Sequence, residues 1–372
     1  MRDKNSLSYQ LMQLIAIAGD FPSDEIKRME GGEHYKGKVI ADLKNNKIIK
    51  TYYKDHIRSY RLTIKGKRML LADNLSRFAF YFSGSADTNQ YRSTLTKRLR
   101  AHRIAQAMLT MKQADIALFP DEKIDLFDCC EQCDETPHER TRIKIPAFYN
   151  SREMKSIGIE ANKFRSARAV GVLLTNNELF LVHNTVDTVM KWDVKTEMRV
   201  KAILRNLCNQ RLPETHANTT IKAIMLGANI DIGYQLLTSN GGTKHNYFML
   251  DGSFEHFHYV THDHAGEVLL KLLCDATLRT KLVDILTQDL SAPDTKLLIE
   301  NDGIDESGNP VLLAYDFNMP RLARFNTALR LQNHQGTAIC FDYQRDALSA
   351  FFGERATIQT IDLQKLERRF FP

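Results

Sequence analysis

Leu7, Leu11, Leu14, Ile15 and Ala18 recur at the spacing of one helical face, and the run stops at Gly19-Asp20-Phe21-Pro22. Ser23 is placed to cap a short second helix over residues 24–30, which carries acidic side chains in its first turn, where the helix dipole favours them. Gly31-Gly32 ends it. A third helix is predicted over about residues 34–45, with Tyr35, Val39, Ile40 and Leu43 inward and His34, Gly37, Lys38, Ala41, Lys44 and Asn45 outward. Lys36 falls on the apolar side, where its stem can snorkel. A strand over 48–53, a turn over 54–57, a returning strand over 58–63 and a new helix from Ile64 complete the segment. Short helices, a hairpin and a further helix in that order predict a winged helix-turn-helix over residues 1–75.

Residues 76–118 read as a helical connector. Tyr91, Leu95, Leu99, Ile104, Met108 and Met111 form its stripe, with Arg92, Lys97, Arg98, Arg100 and Arg103 on other faces. The stripe can pack on the first domain, pair with its copy in a homodimer, or support the next domain. Residues 119–145 change to Asp, Glu, Cys and Pro and read as an acidic linker. This linker holds the Cys-x-x-Cys pair Cys130 and Cys133, with Cys129 and His138 as two further possible zinc ligands; no later pair closes the set, and free thiols in a loop are the other reading.

From residue 146 to 372 the pattern is α/β with a mixed sheet. Strands are predicted at 169–174, 178–183, 221–226, 247–250, 254–260, 296–299, 311–315, 338–341 and 358–361, and helices at about 195–207, 265–273, 278–288 and 345–352. Asn176-Asn177 makes the first two strands a hairpin. Chemistry-bearing residues occur here in two groups. His256, His258, His262 and His264 with Asp263 could hold zinc, although their His-x-His-x-x-x-His-x-His spacing departs from that of metallo-β-lactamase-like hydrolases, and Thr261 or Asp263 also suits a helix cap. Glu153-Met154-Lys155 has the Glu-x-Lys triplet of a Mg²⁺ nuclease, but Ser151 before it suggests a helix start, and Asp193 and Glu197 also have a helical context. No Walker loop, nucleophile elbow or Rossmann fingerprint occurs. The expectation is therefore no catalytic residue, no metal and no cofactor, with a metal-dependent nuclease or nicking enzyme as the alternative.

The whole chain has 51 Lys and Arg against 45 Asp and Glu, a net of +6. Residues 1–110 hold 21 against 10, a net of +11, and the remaining 262 residues hold 30 against 35, a net of -5. A positive field concentrated on the segment with the outward helix face suits double-stranded DNA. His34, Lys38, Lys44 and Asn45 on the third helix, and Lys54, His56 and Arg58 at the hairpin, are the candidate DNA-binding residues. The same fold could instead bind another protein. No apolar run reaches the ~20 residues of a membrane span. Residues 11–18 imitate a signal peptide, but Gln13 interrupts them, so a cytoplasmic protein with reduced thiols is expected.

Two stretches, residues 39–49 and residues 60–70, resemble winged-helix transcription factors, the second through a Tyr-x-Leu-Thr-x-x-Gly exit from the wing at Tyr60, Leu62, Thr63 and Gly66. The order of Phe148-Tyr149-Asn150, the strand at 169–175, the return through Phe180 to Thr185 and Met190-Lys191-Trp192 resembles the plasmid replication-relaxation family of mobile elements. That resemblance implies DNA binding in plasmid replication, element maintenance or transcription regulation, on a nuclease-like scaffold that need not be active.

Overall fold

The computed structural model describes residues 6–82, 94–124, 126–127, 145–156, 168–212, 220–244, 246–294 and 296–371. The protein is a mixed α/β chain of two compact units, the first within residues 1–125 and the second within 145–372 with Leu126 and Phe127.

In the first unit, helix α1 (Leu7–Ala18) starts where the Ser6 hydroxyl accepts the Tyr9 N–H and stops at Gly19, whose φ of 74° is left-handed. All its residues except Ser8 and Gln10 are buried, because helices and a strand surround it on most sides. Strand β1 (Phe21–Pro22) follows. Residues Asp24–Arg28 form a 3₁₀ turn, not the α-helix expected, and Ser23 does not cap it; its own backbone is helical, so its hydroxyl is not presented to the following N–H groups.

Helix α2 (Glu33–Asn45) buries Lys36, Val39 and Leu43 and leaves Ile40 half-buried. Tyr35 is 50% exposed, a correction to the expected inward face. The helix is rotated toward Lys36, whose Nζ donates to the Lys27 carbonyl at 2.8 Å and is thus satisfied inside.

Strands β2 (Ile49–Lys54) and β3 (Ile57–Leu62) form the hairpin, and β1 pairs with the other edge of β3 in an antiparallel β1-β3-β2 sheet. Helix α3 (Ile64–Asp73) is capped by Thr63, whose Oγ1 accepts the Gly66 N–H and donates to the Lys47 carbonyl at 2.6 Å. A Cβ on Gly66 would lie 2.4 Å from the Ile48 carbonyl. The Thr-x-x-Gly motif is thus a cap followed by a close backbone approach. Gly66→Ala is expected to cost the first unit about 1–3 kcal/mol, read as a lower urea midpoint.

Helices α4 (Leu75–Phe82) and α5 (Leu95–Gln113) belong to the same unit and pack on α1. Ile104, Met108 and Met111 are buried as the stripe predicts, whereas Leu95 and Leu99 are exposed. Arg98, which the pattern places off the apolar stripe, is fully buried. Tyr91 and Arg92 lie outside the described residues.

The second unit contains two sheets. The first runs β4 (Ala147–Asn150), β5 (Ala169–Leu174), β6 (Leu179–Val186), β7 (Ile221–Gly227) and β8 (Phe257–Thr261), antiparallel through β6 and parallel after it. Helix α6 (Val194–Arg211) makes the crossover from β6 to β7. Nearly every residue of β5, β6 and β7 is buried, as in a sheet covered on both faces. After α7 (Ile230–Leu237), α8 (His264–Cys274) and α9 (Ala276–Thr287) comes a β12-β11-β10-β9 sheet of β9 (Gly303–Ile304), β10 (Pro310–Leu313), β11 (Gly336–Phe341) and β12 (Ala356–Ile361), with α10 (Met319–Gln332), α11 (Arg345–Phe352) and a final α12 (Leu363–Phe370). Residues 296–299 are not a strand, and residues 247–250 contribute only isolated bridges. Strand β4 and helices α7, α10 and α12 went unforeseen; α10 carries Pro320 in its first turn, a start signal visible in the sequence.

Candidate nucleic-acid interface

The exposed face of α2 carries His34, Lys38 and Asn45 in solvent, with Lys44 half-exposed. Gly37 and Ala41 lie between them, also exposed, so the helix backbone is uncovered at its centre. Lys54, His56 and Arg58 are all exposed at the hairpin. All seven residues expected to contact DNA are thus open to solvent on one unit. Pattern reading missed two aromatics. Tyr53, 66% exposed, sits opposite Arg58 in the hairpin register, and Tyr35 flanks a groove of about 460 Å³ that Lys38 and Asp42 also line.

The hairpin tip is a two-residue turn. Asp55 and His56 both have left-handed backbones, φ 53° and 59°, the type I′ geometry that matches the twist of the flanking strands. Neither is glycine or asparagine, so each carries the cost of that conformation. Asp55→Asn/His56→Gly is therefore expected to stabilise the hairpin by about 1 kcal/mol, measured as a higher urea midpoint.

Below the tip lies a buried charge network. Asp20 is fully buried, and its carboxylate accepts from Arg61 Nε at 2.7 Å, Arg98 Nε at 2.9 Å and Ser59 Oγ, with His102 Nε2 at 3.3 Å. Burial alone pushes this carboxyl up. Hydrogen bonds from His102, Arg61, Ser59 and Arg98 outweigh it and hold the group well below the ordinary carboxylate range. The Arg98 guanidinium continues outward: Nη1 donates to the Lys54 carbonyl at 2.6 Å, and Nη2 to the Ile57 carbonyl and to Ser59 Oγ, both at 3.0 Å. The two carbonyls belong to the residues on either side of the tip. The Tyr52 ring covers the pair of cations, 3.7 Å from Arg61 Cζ and 4.8 Å from Arg98 Cζ.

The chemistry-bearing groups of the second unit are engaged internally. Glu153 is buried, and its Oε2 accepts from the Asn150 backbone and side-chain amides at 2.9 and 2.8 Å; Lys155 lies in the 3₁₀ turn Met154–Ser156. Asp193 accepts from the Thr196 hydroxyl, and the buried Glu197 accepts the Arg168 N–H at 2.8 Å. His256 accepts from Asn318 Nδ2, His258 donates to the Asp316 carbonyl, His262 to Asn184 Oδ1 and His264 to Glu367. Asp263 caps α8 through the Gly266 N–H. Among the described residues no three His, Cys, Asp or Glu side chains converge as a metal ion requires. Cys129, Cys130, Cys133 and His138 lie outside the described residues.

The chain matches no protein-family model, no curated protein and no solved structure. Among the described residues no helix is long and apolar enough to cross a membrane.

Proposed function

We propose that the chain is a sequence-specific, double-stranded DNA-binding protein of a plasmid or integrative element, acting in the cytoplasm in transcription regulation or as a replication accessory. In this reading the first unit is a winged helix-turn-helix, α2 is the recognition helix and the β2–β3 hairpin is the wing. A homodimer would read two half-sites about one helical turn apart. The observation that carries the reading is the braced hairpin: a buried guanidinium grips both shoulders of a tip whose exposed side chains are Lys54, His56 and Arg58. A groove or backbone probe needs a fixed position, and the brace supplies one at the tip. The +11 of residues 1–110 supplies the field that draws a duplex to it.

Selection of randomised duplexes by the full chain tests this. A recurrent site should emerge, with affinity falling about 10- to 100-fold in Lys38→Ala/Arg58→Ala. No enriched sequence, or undiminished binding by the double variant, would contradict the proposal. The nuclease alternative is tested by incubating supercoiled plasmid with the protein and Mg²⁺, Mn²⁺ or Zn²⁺; the DNA-binding reading expects unaltered topology with each.

A further inference from the structure

Helix α5 is bonded to the hairpin and to the 3₁₀ turn that precedes α2. Near its start, Arg98 spends four of its five N–H donors on Asp20, the two tip-flanking carbonyls and Ser59. Further along, Gln106 donates to Glu25 at 2.9 Å, Thr110 accepts from Arg28 Nη2 at 2.8 Å and Gln113 donates to the Arg28 carbonyl. Glu25 and Arg28 belong to the 3₁₀ turn that leads into α2. From Arg98 to Gln113 the helix axis runs about 22 Å at ~1.5 Å per residue. One rigid helix therefore holds the hairpin near one end and the approach to α2 near the other.

We infer that α5 is the strut that sets the spacing between hairpin and α2 on DNA, and that Arg98 is its positioning residue for the hairpin. The inference rests on the DNA-binding function proposed above. A lysine at this position could keep the charge opposite Asp20, but a single ammonium cannot reproduce the planar fork that reaches both carbonyls. Arg98→Lys thus loosens the tip and leaves the attachments of α5 to Glu25 and Arg28 in place.

The test compares the full-length wild type with Arg98→Lys on the selected duplex, adding Arg58→Ala or Lys38→Ala to each. Affinity should fall about 10-fold in Arg98→Lys. Arg58→Ala should then cost much less in the Arg98→Lys background than in the wild type, while Lys38→Ala costs the same in both. A merely structural role for Arg98 would change both costs alike, and equal Arg58→Ala costs in the two backgrounds would overturn the inference. Amide hydrogen exchange of the free proteins gives a readout that needs no DNA: the amides of Asp55, His56 and Ile57 should exchange faster in Arg98→Lys, with α2 unchanged. If selection yields no duplex, the function fails, and exchange alone decides whether Arg98 holds the tip. Should Arg98→Lys not fold, Arg98→Met, which keeps an apolar stem, leaves Asp20 paired with Arg61 and removes both bonds to the tip carbonyls, should show the same faster tip exchange; unchanged exchange there overturns the inference.

Discussion

Asp20→Ala should unfold the first unit or bring it to the edge of unfolding. The substitution leaves the guanidiniums of Arg61 and Arg98 buried without a counter-charge, a loss of about 3–5 kcal/mol when one partner of a buried ion pair is removed. That is a large share of the stability of an ordinary domain. Asp20→Asn keeps acceptor oxygen but not charge, and should fall between. The pH dependence has a defined sign. Because the folded carboxyl is held below its unfolded value near 3.8, its contribution is fully present above that value and is lost as pH falls toward and through the folded one. Urea titrations of wild type and Asp20→Asn should therefore differ widely at pH 7, and the gap should begin to narrow only below about pH 4. Equal midpoints at pH 7 would remove Asp20 as the anchor of the hairpin.

The second large effect concerns acid stability of the other unit. His183 on β6 is fully buried against Trp192, Phe254 and Phe257, and neither ring nitrogen has a hydrogen-bond partner. Burial pushes its pKa from 6.5 down to about 3, so it is neutral in the fold and charged in the unfolded chain at mildly acid pH. The stability it supports is present above about pH 6.5 and is lost as pH falls from there toward 3, at about 1.4 kcal/mol per pH unit. Glu197 acts in the opposite direction. Burial raises it to about 7, and its contribution is present below 4.5 and lost as pH rises through 7. His183→Phe isolates the histidine. Followed by fluorescence of Trp192, the only tryptophan, the variant should show a pH slope between 6 and 4 smaller by about 1.4 kcal/mol per unit, and an unchanged slope would contradict the assignment.

The parts of the first unit that were legible from sequence are those decided by neighbours a few residues away. The periodicity of α1 and α2, the hairpin, and the exit through Thr63 and Gly66 all follow from local spacing. Arg98 and Asp20 were not legible, because their burial depends on a partner 78 residues distant. Taken locally, an arginine among Lys97, Arg100 and Arg103 reads as a solvated face. The spacing puts Lys36 on the apolar side of α2 but does not show what satisfies its ammonium, a carbonyl of Lys27 that only the folded chain brings within reach, nor that Tyr35 turns outward. In the second unit the hydrophobic runs marked most of the sheet but not what its polar residues do. Glu153, Asp193 and the four histidines are read as potential ligands from spacing, yet each bonds a partner within the fold: an amide, a hydroxyl, a backbone carbonyl or, for His264, the Glu367 carboxylate. The exposure of His34, Lys38 and Asn45 on α2, by contrast, follows from the helical period.

The central claim is that α2 and the β2–β3 hairpin form the surface that meets DNA. Hydrogen exchange of the full chain, measured with and without the duplex recovered by selection, tests it most directly. Binding through this surface should slow exchange over residues 33–45 and at the hairpin around Lys54, His56 and Arg58, an effect that weakens as salt rises. Protection confined to the second unit, with α2 and the hairpin unchanged, would contradict it.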